Sequence, residues 1–122
     1  MAIYDAIKAC PCHVTIEVMG QAMSMGSIIL QAADERILHP NSCVMVHDGY
    51  DSMHSTHPKI FEAWAKQSEK LRKKMYEIYA ERSGKDSKYW EKKCAFDFIL
   101  DAKQAVSEGL ADSVFGEEEE SK

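Results

Sequence analysis

The chain has 122 residues, 45% of them hydrophobic, and a formal net charge of -5. That is enough for one domain with a modest core, and the acidic balance, with a pI near 5.5, excludes a broad nucleic-acid face. With no apolar run of about 18 residues and no basic-then-apolar leader, the sequence reads as soluble and cytoplasmic, with no membrane segment.

In chain order, residues 2 to 9 predict a short helix that buries Ile3, Ala6 and Ile7, stopped by Cys10-Pro11-Cys12-His13. The C-x-C spacing is not that of a C-x-x-C zinc knuckle, Cys43 and Cys94 stand alone, and a cytoplasmic chain keeps its thiols reduced, so neither a metal nor a disulfide is expected. His13 to Met19 alternates and is rich in β-branched residues, which predicts a half-buried strand. Ile28 to Ala33 is too apolar for a loop and predicts a buried helix. After the turn signal Pro40-Asn41-Ser42 comes a second apolar strand, Cys43 to His47.

The longest predicted helix runs from Pro58 to Arg82, capped by Thr56 or Ser55, with Pro58 in its first turn and Gly84 as its stop. Phe61, Trp64, Leu71, Met75 and Ile78 follow steps of three and four, interrupted by Ser68, and Glu62 to Lys66 and Glu69 to Lys73 are favourable pairs worth about 0.2 to 0.5 kcal/mol each. His54 and His57 before it read as exposed polar residues rather than ligands. A helix from Asp86 to about Lys93 leads to the segment holding Asp97. Asp101 and Gln104 form a capping box, Gly109 stops the helix that follows, and Ser113 to Phe115 closes the fold as a short strand. The domain is expected over residues 1–116, with 117–122 as a solvated acidic tail.

The chemistry centres on Gly20-Gln21-Ala22-Met23-Ser24-Met25-Gly26-Ser27, which sets one serine between glycines where a strand hands over to a helix. A serine at such a junction presents its hydroxyl as a nucleophile, and the next amide, on Met25, is an oxyanion donor. The spacing G-x-x-x-S-x-G differs from the G-x-S-x-G elbow but shares its mechanics. His47 closes an apolar strand and Asp97 lies downstream, which completes a possible serine, histidine and aspartate set.

Met19 to Ser27, Pro40-Asn41-Ser42, Val44-Met45-Val46-His47 and Asp101 to Asp112 together resemble the Clp protease proteolytic subunit, a self-compartmentalising serine peptidase family. The motifs occur in the family's order, and the likeness runs from Ala2-Ile3-Tyr4-Asp5 to about Val114. By position it implies Ser24 as nucleophile, His47 as general base, Asp97 as third member and the Met25 amide in the oxyanion hole. It implies an α/β fold of the Clp protease and crotonase type, a spiral of parallel strands with outer helices. The helix from Pro58 to Arg82 then corresponds to the handle helix through which the family's rings meet. In the family, the counterpart of Ala2-Ile3-Tyr4-Asp5 follows further strands and a serine-proline-glycine-glycine loop that gives the second oxyanion amide, so the chain is expected to be an N-terminally truncated form. Asp34 to His39 and Asp48 to His54 look more like the divergent members carried by phages and prophages.

The function expected is serine-dependent hydrolysis of peptides or unfolded proteins through an acyl-enzyme, without metal or organic cofactor, in a homo-oligomer of rings whose AAA+ unfoldase partner uses the ATP. Two alternatives stand beside it: an inactive structural or assembly subunit, such as a phage scaffold component, and a crotonase-type acyl-CoA enzyme.

Overall fold

The computed structural model describes residues 1–48 and 57–117. The capping residues Ser55 and Thr56, His54, most of the Asp48 to His54 segment and residues 118–122 of the acidic tail lie outside the described residues. The chain is a mixed α/β structure built on two three-stranded sheets.

The first helix, α1 (Ala2–Ala9), ends where Cys10 turns extended before Pro11. It does not bury the face expected of it: Ile3 is 62% exposed and Ala6 is exposed, while Met1 and Tyr4 pack against the core. Tyr4 shares a face with Met1 and Ile7 at steps of three, and the large ring covers more apolar surface than an alanine on the competing face.

The chain then alternates between sheets. Strand β1 (Thr15–Val18) pairs in parallel with β3 (Glu35–Leu38), and β3 with β6 (Ser113–Val114). The other sheet takes β2 (Gln21–Met23), β4 (Cys43–Val46) and β5 (Phe98–Asp101), with β2 parallel and β5 antiparallel to β4, so the strands are not all parallel. The changes of sheet fall at Gly20, whose carbonyl accepts from the Cys43 amide at 3.0 Å, and at His39, whose amide donates to Val18 at 2.9 Å. Short turns of this kind bring sequence neighbours into different layers around one core of Ile28, Leu30, Leu38, Val44, Val46, Leu100 and Leu110.

A charged residue holds the first sheet together. Arg36, only 4% exposed, donates to both Asp112 carboxylate oxygens, to Gln31 at 2.6 Å and to the Gly109 carbonyl at 2.9 Å. A buried guanidinium is tolerated because its donors are paired in this way. Burial works to raise the Asp112 carboxyl, but the bonds from Arg36 outweigh it and hold the group below its ordinary range.

Helix α2 (Met25–Leu30) begins and ends three residues before the expected apolar helix, with Gln31 to Ala33 continuing as a turn. Helix α3 (Pro58–Ser83) begins after His57 and ends at Gly84, which takes the left-handed φ of 77° that favours glycine. Only its C-terminal half carries buried residues, Met75, Tyr76, Ile78 and Tyr79, whereas Phe61, Trp64 and Leu71 are exposed by 53%, 57% and 38%. The expected stripe is therefore real as a pattern but uncovered within the chain over its first turns. Helix α4 (Ser87–Cys94), capped by Asp86, packs Trp90 against Tyr79, and α5 (Ala102–Ser107) opens with the expected capping box of Asp101 and Gln104. Among the described residues no helix is long and apolar enough to cross a membrane.

Candidate active site

The strand that hands over to Ser24 is β2, three residues long, rather than the expected strand over His13 to Met19, which lies in the other sheet. Ser24 has φ 56° and ψ -117°, and it is the one non-glycine residue with positive φ among the described residues. Such a conformation costs about 1 to 3 kcal/mol and persists only where its surroundings enforce it. Here the Ser24 amide donates to the Met45 carbonyl at 2.9 Å, and its own carbonyl accepts from the Ser27 amide at 3.0 Å and from Ser27 Oγ at 2.5 Å. The result is a sharp strand-to-helix elbow, the backbone shape that lifts a nucleophile off a sheet. Met25 begins α2, so its amide is one of the first-turn donors without a partner inside the helix.

Strand register brings the other two residues to the same place. Met23 pairs with Met45 on the parallel neighbour β4, and His47 follows β4 directly. On the other side of β4, Val46 pairs with Phe98 of antiparallel β5, so continuing that register by one residue sets His47 opposite Asp97. Adjacent strands lie about 4.8 Å apart, close enough for side chains at neighbouring ends to meet. His47 Nδ1 stands 3.4 Å from Asp97 Oδ1, with the imidazole 18% and the carboxylate 63% exposed. His47 and Asp97 thus touch directly, whereas Ser24 shares their end of the sheet through register and hydrogen-bonds to neither.

Three further residues, not anticipated from sequence, secure this corner. The Asp48 amide donates to the Cys94 carbonyl at 2.8 Å, and its carboxylate accepts from the Tyr76 hydroxyl of α3. Burial, then the bond to Asp48, pushes the Tyr76 hydroxyl well above its usual range, so it remains a donor. Together these contacts tie the end of β4 to α4 just ahead of Asp97. Cys94 is buried and its thiol is pushed up to about 12, by burial first and then by Asp48, so it is a packing residue rather than a nucleophile. Tyr76 sits beside the heptad-like stripe rather than on it, and Asp48 has no motif around it, so neither carried a sequence signal. Cys10 and Cys12 are exposed, and among the described residues no group of three or more His, Cys, Asp or Glu side chains is placed to hold a metal.

Comparison with known proteins bears on the same residues. The family model described as Clp protease matches residues 1–118, a span that includes Ser24, His47 and Asp97. The chain is 31% identical over 124 residues to the ATP-dependent Clp protease proteolytic subunit of Deinococcus radiodurans, an alignment that covers 100% of this chain. It spans 60% of the length of that curated relative. A match of this extent, laid over an elbow serine and a histidine-aspartate pair at one sheet end, carries one conclusion: the chain belongs to the Clp protease family.

Proposed function

We propose that the protein is a serine endopeptidase, the proteolytic subunit of a self-compartmentalising protease, with Ser24 as nucleophile, His47 as general base and Asp97 as the third member of the triad. The observation that carries this reading is the convergence of the ends of β2, β4 and β5, with strained Ser24 at the first and the His47–Asp97 pair at the other two. Family membership supports it by supplying the reaction class.

In the reaction, His47 Nε2 takes the Ser24 hydroxyl proton as Oγ bonds to the scissile carbonyl carbon. The carbonyl oxygen becomes an oxyanion, which the Met25 amide stabilises. Asp97, facing Nδ1, holds the imidazole in the tautomer that leaves Nε2 free to accept and favours the imidazolium once formed. The imidazolium then protonates the departing amine, leaving an acyl-enzyme. Water, activated by the same histidine, releases the acid and restores the serine. No step needs a metal or an organic cofactor.

The substrates on this reading are peptides and unfolded proteins, ATP is consumed by an AAA+ unfoldase partner, and the strands continue the family's spiral in a cytoplasmic homo-oligomer of rings. The apolar surface of Ile60, Phe61 and Trp64 on α3 is the face that assembly covers. That same face favours a second reading, an inactive assembly subunit that keeps the fold and the rings without turnover. A fluorophosphonate separates the two. Covalent labelling that is lost in Ser24→Ala and strongly reduced in His47→Ala is the outcome expected of the peptidase, and labelling unchanged by Ser24→Ala refutes it.

A further inference from the structure

The peptide unit between Ser24 and Met25 has two ends: the Ser24 carbonyl and the Met25 amide. They point in opposite directions across a planar trans unit, so whatever fixes the carbonyl fixes the amide. The carbonyl is held by Ser27 Oγ at 2.5 Å as well as by the Ser27 amide at 3.0 Å. Ser27 Oγ lies 2.6 Å from the Tyr79 hydroxyl, fifty-two positions away on α3, and both residues are 0% exposed. A carbonyl only accepts, so the single Ser27 proton goes to Ser24, and Tyr79 must be the donor to Ser27. The result is a directed chain from Tyr79 O–H through Ser27 O–H to the Ser24 carbonyl.

We propose that Tyr79 and Ser27 are positioning residues that clamp the Ser24–Met25 peptide from behind, aiming the Met25 amide at the oxyanion and strengthening it as a donor. This deepens the peptidase reading and rests on it for the amide's role. Three features support the clamp. Ser24 sits at φ 56°, a backbone state that needs enforcement, and no other described non-glycine residue has one like it. The chain is dry, so its hydrogen bonds are not replaced by water and polarise one another in series. Burial pushes the Tyr79 hydroxyl above its usual range, so it stays protonated and able to donate at neutral pH. A hydrogen bond received at a peptide carbonyl draws electron density from the N–H of the same unit, which makes that N–H the better donor. Tyr79 touches neither substrate nor nucleophile in this arrangement; it acts through Ser27 alone.

Two variants test the clamp: Ser27→Ala removes the bond to the carbonyl, and Tyr79→Phe removes only the bond behind it. Loss of a whole oxyanion donor costs about 10² to 10³ in kcat, so misaiming one is expected to cost about tenfold in Ser27→Ala and less in Tyr79→Phe, with KM unchanged for a fluorogenic peptide. Because Tyr79 acts only through Ser27, the double variant should be no slower than Ser27→Ala. A second readout needs no turnover. Labelling serine with carbonyl ¹³C and methionine with ¹⁵N marks only the Ser-Met peptides, which are Ser24-Met25 and Ser52-Met53. The Ser24-Met25 cross-peak should move in both variants, further in Ser27→Ala, while the Ser52-Met53 peak serves as the internal reference.

An unmoved Ser24-Met25 peak, or kinetic losses from the two variants that multiply in the double variant, overturns the clamp even if Ser24→Ala abolishes turnover. A peak that moves as expected in a protein without Ser24-dependent turnover overturns the peptidase reading instead and leaves the clamp standing.

Discussion

Replacing Asp97 with asparagine keeps the shape of the side chain and removes its charge, so it isolates what the carboxylate does for His47. In a serine protease whose triad carboxylate is buried, that exchange costs about 10⁴ in kcat. The geometry here predicts far less. At the 3.4 Å that separates His47 Nδ1 from Asp97 Oδ1, the attraction between imidazolium and carboxylate is about 1.2 kcal/mol at the dielectric of water and about 5 kcal/mol at an effective value of 20. Asp97 is 63% exposed, which puts the pair near the watery limit, where exposed ion pairs contribute about 1 kcal/mol or less. Water can also hydrogen-bond to Nδ1 and keep the productive tautomer populated. A loss of about 1 kcal/mol of transition-state stabilisation follows, or about 5-fold in kcat. Steady-state hydrolysis of a fluorogenic peptide, with Ser24→Ala as the blank, measures it. A loss near 10⁴ would refute the reasoning by showing that the working enzyme closes and dries this pair, and no loss would remove Asp97 from the mechanism.

Other expectations test the fold around the site. Trp90 is 0% exposed and donates to Ser83 Oγ at 2.8 Å, so Trp90→Ala should cost about 3 to 5 kcal/mol in chemical denaturation. Trp64→Ala, at a position 57% exposed, should change subunit stability by about 0.5 kcal/mol or less while lowering the sedimenting mass, and similar stability losses from both would contradict the division of α3 into a packed and an unpacked half. Gly109 has φ 86°, and a Cβ there would lie 2.7 Å from Ser83 Cα, so Gly109→Ala should cost about 1 to 3 kcal/mol, whereas Gly26→Ala, with nothing within 4 Å of its Cβ, should not; equal melting temperatures for the two would sink the assignment. Because Arg36 holds the Asp112 carboxyl below its ordinary value of 3.8, this pair stabilises the fold fully above the unfolded value and loses that contribution as pH falls through the lower folded one. Asp112→Asn should therefore lower stability at neutral pH and flatten its decline below about pH 4, and an acid limb identical to that of the parent would refute the linkage.

Elements with a strong local mark were legible in the sequence, and those without one were not. Helix α3 announces itself by Pro58, a run of favourable charge pairs and Gly84, and the Glu69–Lys73 pair forms at 3.3 Å. The Asp101–Gln104 box is equally local, since both of its bonds span three residues. Strands β2 (Gln21-Ala22-Met23), β3 (Glu35-Arg36-Ile37-Leu38) and β5 (Phe98-Ile99-Leu100-Asp101) escaped because none shows an alternation of apolar and polar residues to read. In β3 the difficulty is deeper. Asp34-Glu35-Arg36 looks solvated, yet Arg36 is buried because Asp112 and Gly109 come to it from the far end of the chain and join its near neighbour Gln31 around the guanidinium. A pattern of apolar positions likewise tells which face of α3 is sticky, but not which half finds a partner within the chain.

The candidate site divides along the same line. Ser24, His47 and Asp97 were legible because the groups proposed to react sit in local patterns: a serine between glycines, a histidine closing an apolar strand, an aspartate ahead of a capping box. What holds them is written only in long-range contacts. Tyr76 reaches Asp48 across twenty-eight positions, and Tyr79 reaches Ser27 across fifty-two. Both tyrosines belong to the buried half of α3 and lie three residues apart, so one helical face supports the serine elbow through α2 and the histidine through the end of β4. A displacement of that face would disturb the elbow and His47 together. The exposed half of the same helix carries Phe61 and Trp64, and it is continuous with the buried half through an unbroken helix of 26 residues. Contacts made on the exposed half are therefore joined by one continuous helix to both sides of the site, a connection that neither the serine motif nor the histidine motif contains.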